Sequence, residues 1–133
     1  MITKPVLTLE DAKRIAAAAQ AEAARNGWRV VIAVVDDGGH LLYLERDHQT
    51  QFGSVETAIA KAHAAIAFLR PTKASEDAVL SGCLIHLSLP GVIPAEGGVP
   101  LHLDGIIVGG LGVSGVRSFE DGQIAAAGAS ALA

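Results

Sequence analysis

The chain has 133 residues, half of them apolar and 18% charged, with a formal net charge of −4 and a mean hydropathy of +0.41. That length gives one domain, 1–133, able to bury a core without disulfide support. The acidic balance and the lack of a Lys/Arg cluster argue against nucleic acid as a partner, and no apolar run approaches the roughly 18 residues that would cross a bilayer.

Much of the apolar content is alanine and glycine, since aromatics make up only 4%. It exceeds what one small monomer readily hides, which predicts a homo-oligomer. The opening MITKPVLTLEDAK has no charged-then-apolar signal pattern, so the expected compartment is the cytoplasm. The single cysteine, Cys83, excludes an intrachain disulfide and a Cys-based zinc site of the usual spacing. It reads as a small buried hydrophobe.

Thr8-Leu9-Glu10-Asp11 opens a first helix, with Thr8 as cap and two acids in the positive first turn. Leu9, Ala12, Ile15, Ala16, Ala19 and Ala23 recur at helical spacing until Asn26-Gly27 stops it. Trp28 to Val35 is a β-branched run, Asp36-Asp37-Gly38-Gly39 is turn chemistry, and His40 to Arg46 makes a return strand. After a polar loop at 49–53, Ser54 caps a second helix with Ala58, Ala62, Ala65, Ile66 and Leu69 on or near one face, ended by Pro71. Ser75-Glu76-Asp77 starts a short third helix that stops near Gly82, and a short strand is expected between it and the next hairpin.

That hairpin is EGGVPLHLDGIIVGGLGVSG, residues 96–115, two apolar strands around an Asp104-Gly105 turn. Six of its glycines, 97, 98, 109, 110, 112 and 115, lie outside the turn. Glycine in a strand costs entropy and packs nothing, so the strands are being kept thin for a helix, a neighbouring subunit or a ligand. Phe119-Glu120-Asp121 introduces a closing helix to about Ala131. Hairpin-linked strands with interspersed helices give an α+β domain: a mainly antiparallel sheet of about five strands with helices packed on it, profilin-like or roadblock-like in its layers.

Five histidines are present, His40, His48, His63, His86 and His102, and none forms an HxxxH or HExxH pair. Lys61 and His63 are two apart on a helix and so point to different faces. For His63 a solvent-facing or interface role and a ligand contact both stay open. Lys61 reads first as a lysine snorkelling off an apolar face, with reach toward a carboxylate ligand as the alternative. Arg46 and Asp47 follow a strand, where functional residues are well positioned, and a surface ion pair reads equally well. Gly97 and Gly98, with Gly112, Ser114 and Gly115, could turn backbone N–H groups toward an anionic ligand. GGLGVSG lacks the βαβ setting of a dinucleotide fingerprint, and Ser114 misses the GxSxG spacing. Asp121 reads as a helix-start acid. Glu96 has no such structural duty and is the stronger candidate for ligand or proton chemistry.

Four segments in order, VVIAVVDDGGHLLYLERD, AIAKAHAAIAF, EGGVPLHLDGIIVGGLGVSG and EDGQIAAAGASAL, make the chain resemble the haem-degrading or haem-binding family. That family takes in GlcG-like and HbpS-like proteins and the C-terminal domain of some corrinoid adenosyltransferases. Lys61, Glu96, Gly97, Gly98, Pro100, Gly112, Ser114, Gly115 and Asp121 match the family pattern by position. The chain departs from it after Arg46, where Asp47-His48 replaces Met-Asp, and at His63, a position often held by arginine or another polar residue. The resemblance implies a compact α+β domain that assembles into oligomers, often octamers, with ligand sites near subunit interfaces and haem as a cofactor of some members.

Two functions from different classes follow. One is an oligomeric binder of haem or another small ligand at a subunit interface, with His63 as a metal ligand if haem is bound. The other is a cytoplasmic catabolic enzyme of lyase, isomerase or hydrolase type acting on a small aromatic or hydroxy acid. In that enzyme Lys61 and Arg46 would hold the anion and His63 or Glu96 would act as acid and base. An accessory subunit without a ligand is a third option.

Overall fold

In the computed structural model, which describes residues 1–132, helix α1 (Leu9–Arg25) begins where Thr8 and Asp11 cap each other. The Asp11 N–H donates to Thr8 Oγ1 (3.2 Å) and the Thr8 N–H to Asp11 Oδ2 (2.9 Å). Two otherwise unpaired donors are satisfied this way, and the acids sit at the positive end of the helix dipole. Ala133, the last residue of the expected domain, lies outside the described residues.

Strands β1 (Val31–Asp36) and β2 (Leu41–Arg46) form the first hairpin, each starting later than its β-branched run suggests. Helix α2 (Gly53–Ala67) follows. It starts one residue before Ser54, whose hydroxyl accepts from Gln51 Nε2 (3.0 Å) rather than capping the helix. Helix α3 (Thr72–Leu80) begins directly after Pro71, earlier than Ser75. Proline at the N-cap needs no N–H partner and already holds a suitable φ, so Pro71 launches α3; it does not end α2 as expected, since that helix stops at Ala67 and Leu69 has already turned to φ +57°. A 3-10 turn (Leu84–Leu87) leads to β3 (Gly98–Leu103), β4 (Ile106–Ser114) and the closing helix α4 (Ser118–Ser130). The β3–β4 turn is Asp104-Gly105 as expected, with Gly105 at φ +79°.

The sheet has four strands in the order β2-β1-β4-β3, every neighbouring pair antiparallel. The expectation of about five strands is corrected: among the described residues no strand forms between α3 and β3. Pro90 and Pro94 cannot donate to a ladder and Gly91 turns at φ +80°, so the stretch stays irregular.

Register assigns the two faces. Ile32, Val34, Leu111, Val113 and Leu101 point to one side and pack with Ile15 of α1 and Ile124 of α4 in the main core. Val31 and Ala33 point to the other side, where α2 lies, and form with Ala58 a much thinner cluster flanked by Leu44, Val55 and Ile59. On this second face the strands present Gly98, Gly110 and Gly112 to the helix. A Cβ at Gly112 would overlap the Ala58 carbonyl oxygen, one at Gly110 the Ala62 carbonyl and one at Gly98 the Lys61 carbonyl. The strands are thin because a helix backbone rests on them.

Candidate functional site

Lys61 does not snorkel. Ala58, Lys61, Ala62 and Ala65 form the inward stripe of α2, and the lysine is 2% exposed. Its Nζ donates to the Val113 carbonyl (2.9 Å) and to Asp121 Oδ2 (3.0 Å). Asp121, in the first turn of α4 and equally buried, also accepts from the Val116 N–H through Oδ1 (3.1 Å). It is therefore more than a helix-start acid. The pair joins α2 on one face of the sheet to α4 on the other. It passes Gly97, where a Cβ would stand 2.8 Å from Nζ and 2.5 Å from the Val113 oxygen, with φ at +132°. Only glycine fits both the space and the conformation. Burial pushes the Asp121 carboxyl up, against the pull of Lys61 and its hydrogen bonds.

Glu96 sits beside this clamp. Its side chain lies on Gly122 of α4, where any Cβ would collide with the carboxylate. Its backbone N–H donates to Glu76 Oε1 of α3 (3.1 Å). Burial is the largest influence on Glu96 and raises its carboxyl above the ordinary range; Lys73 pulls it back, and Glu76 and Asp77 push the same way as burial. Next to it Thr72 bridges α3 to β3, accepting from the Gly98 N–H at 2.9 Å. Lys61, Glu96, Gly97, Gly98 and Asp121 are thus brought together, at the end of the sheet where β3 begins and β4 stops.

Arg46 and Ser114 lie at the same end, both in register with Val31. The Arg46 guanidinium is occupied: Nη1 donates to the Thr50 carbonyl (2.8 Å) and reaches those of Asp47 and His48 (both 3.4 Å). Asp47 Oδ1 accepts from the Gln49 N–H (2.9 Å) and shapes the same loop. Gly115 packs on Arg29, Val30 and Thr50, and the buried Thr50 hydroxyl has no hydrogen-bond partner among the described residues.

His63 is exposed and far from this cluster in contacts. Its Cδ2–Nε2 edge lies on Gly39 of the β1–β2 turn, beside Ile66. His40 pairs with Asp36 at the same turn (Nδ1 to Oδ1, 3.3 Å), and His48 and His102 are exposed. His86 is half-buried on the 3-10 turn, with Nδ1 3.3 Å from Ser75 Oγ. Cys83, expected to be buried, is exposed, because the turn that carries it stands clear of the core. The pairing of Lys61 with Asp121 escapes a linear reading, since 60 positions separate them. The spacing of Ala58, Lys61 and Ala65 nevertheless puts the lysine on the buried stripe, and that signal was available.

Among the described residues no group of three or more His, Cys, Asp or Glu side chains is placed to hold a metal ion, and no helix is long and apolar enough to cross a membrane. A cavity lined by Pro5, Leu7, Arg14, Leu103, Val108 and Leu132 holds about 120 Å³. That is well below the roughly 300–1,000 Å³ of sites that enclose an organic ligand. An open hollow of about 340 Å³ beside Phe52, Gly53, Val55 and Glu56 contains no histidine.

Residues 7–130 match a family described as haem degrading protein HbpS-like. The chain is 42% identical over 114 residues to Protein GlcG of Escherichia coli K12, covering 86% of this chain and 85% of that one. A crystal structure of HbpS superposes with a TM-score of 0.88 at 33% identity, over 100% of this chain and 94% of its own. The crystal structure of a PduOC:heme complex does so with a TM-score of 0.84 at 32% identity, over 96% of each chain.

Proposed function

The chain belongs to the HbpS-like family of haem degrading proteins, and on that premise we propose that it is a cytoplasmic binder of haem or a related tetrapyrrole, working as a homo-oligomer with its ligand sites between subunits. The observation that carries this reading is full-length likeness, at 32% identity, to a protein whose structure was determined with haem bound.

The chemistry of the chain fits the group. A haem site needs an apolar slot and one or two ligating side chains. Two histidines have apolar neighbours: His63, which with Ile66 lies against Gly39, and His86, which follows Ile85 and precedes Leu87 in the sequence. The cavity of about 120 Å³ beside Leu7 is too small for a macrocycle, which favours a slot completed by a second subunit. Haem would supply the iron centre; the protein's part is to provide a ligand nitrogen, exclude water from the ring and fix its orientation. In this reading the Lys61–Asp121 clamp and the glycine-rich strands set the geometry of α2 and α3.

The enzyme reading keeps one supporting observation, the partly buried Glu96 with its raised carboxyl beside α4. The two cations meant to grip a substrate anion are already committed, Lys61 to Asp121 and Arg46 to loop carbonyls.

Titration of the purified protein with hemin tests the proposal. The expected result is a sharp Soret band that saturates at one hemin per subunit or per subunit pair. A featureless or superstoichiometric spectrum overturns it.

A further inference from the structure

From Ala78 to Ala95 the chain carries no Asp, Glu, Lys or Arg. In a protein with 18% charged residues such a run would normally be core, yet residues 80–85 and 87–91 are exposed. Leu80 is 79% exposed, Leu84 63%, Ile85 61%, Leu87 62% and Leu89 37%. At three residues per turn Leu84 and Leu87 share one side of the 3-10 turn, and Ile85 points about 120° away from them. The segment is therefore not the wall of a pocket. It is a projecting arm with apolar side chains on more than one side, and an element of that kind belongs inside something that surrounds it.

The arm is ordered before anything covers it. The Cys83 N–H donates to the Ala78 carbonyl (2.9 Å) and the Ser88 N–H to the Ile85 carbonyl (2.9 Å). Half-buried His86 keeps Nδ1 3.3 Å from Oγ of the buried Ser75. Thr72 ties the start of α3 to β3 through the Gly98 N–H (2.9 Å). A surface organised in advance gives up little conformational freedom on docking.

Charge narrows the occupant. Nucleic acid or an anionic lipid surface calls for Lys or Arg, and the arm has neither. Each copy of the chain carries −4, so two copies repel across most of their surface. Residues 78–95 are the longest stretch on which neither copy brings a charge. Area agrees with a second copy. The five large side chains expose on the order of 600 Å², at the upper end of what a monomer leaves bare. With the small uncharged residues between them, the arm approaches the roughly 800 Å² per partner of a stable interface.

We infer that residues 80–91 are the arm by which one copy of this chain docks on a second, covering Leu80, Leu84, Ile85, Leu87 and Leu89. The inference rests on the homo-oligomeric half of the function proposed above and names the surface that makes it. It does not depend on the ligand.

Cys83, exposed on a single chain and next to Leu84, reports on the contact. Sedimentation velocity gives the species present, and iodoacetamide labelling of Cys83 in the same samples reads coverage of the arm. The wild type should sediment as an oligomer and label more than about tenfold slower than glutathione, since access controls thiol reactivity. The triple variant Leu84→Asp, Ile85→Asp and Leu87→Asp changes only exposed positions. It should keep its circular dichroism, fall to a smaller species and label at the rate of a free thiol. The wild-type rate against glutathione decides even if that variant fails to fold. An assembled wild type whose Cys83 labels as fast as glutathione overturns the arm and leaves the homo-oligomer standing. A folded triple variant that stays fully assembled does the same. A wild type that is monomeric at every concentration overturns both the arm and the homo-oligomer, and the hemin titration then judges the ligand on its own.

Discussion

The two faces of the sheet are built on opposite principles. Toward α1 and α4 the strands send out Ile32, Val34, Leu101, Leu111 and Val113, and the face is held by side-chain volume. Toward α2 they send out Gly98, Gly110 and Gly112, and the face is held by close backbone approach plus one buried ion pair. The first face fails when atoms are removed and the second when atoms are added. The second therefore has far less freedom to vary in sequence, and the residues gathered at its end, Lys61, Glu96, Gly97 and Asp121, are fixed in place by that intolerance.

Leu111 and Gly112, adjacent on β4, face the two sides and give the sharpest contrast. Leu111→Ala leaves a cavity and should cost about 2–5 kcal/mol. Gly112→Val puts carbon into the Ala58 carbonyl and should cost more, consuming most of the roughly 5–15 kcal/mol that stabilises a domain. Urea unfolding of the two variants measures the order. A Gly112→Val protein more stable than Leu111→Ala would mean that α2 can lift off the sheet, and the contrast between faces would collapse.

The ion pair ranks next. Removing one member strands the other as a buried charge, so Lys61→Ala and Asp121→Ala should each cost about 3–5 kcal/mol. Replacing both with apolar residues of similar size, Lys61→Met with Asp121→Leu, should recover much of the loss if the clamp's role is structural. A double variant as unstable as either single one would show that the hydrogen bonds to the Val113 carbonyl and the Val116 N–H matter more than the charges.

The contrast was half legible in the sequence. The capping Thr8, both hairpins and the thinness of the glycine-rich strands are written in local residue choices, and the structure has them where those choices put them. That the strands are thin for a helix is a tertiary fact, since glycine permits close approach without naming what approaches. The same limit hid the clamp: helical spacing puts Lys61 on the buried stripe of α2, but nothing local names the acid 60 positions away that it meets. The surroundings of His86 lack periodicity, and Ser75, whose Oγ lies 3.3 Å from its Nδ1, belongs to a helix whose start at Thr72 the sequence placed three residues late.

The smallest expected effect concerns Glu96, at the rim of the second face. Its carboxyl is raised above the ordinary glutamate value of 4.5, with burial as the first cause. A raised acid binds its proton more tightly in the folded chain than in the unfolded one, so its contribution to stability is full below the unfolded value and lost as pH rises through the folded one. At pH 7 the protein therefore carries the cost of an ionised, partly buried carboxylate. Glu96→Gln keeps the shape over Gly122 and removes that cost, so it should be more stable than wild type at pH 7 by about 0.5 kcal/mol. The difference should close as pH falls below 4.5. Thermal melts at the two pH values read it. A Gln variant that is less stable at pH 7 would mean that the carboxylate is held by favourable contacts at the start of α4. Glu96 would then belong with the clamp as part of the scaffold, and the proton chemistry assigned to it would lose its physical basis.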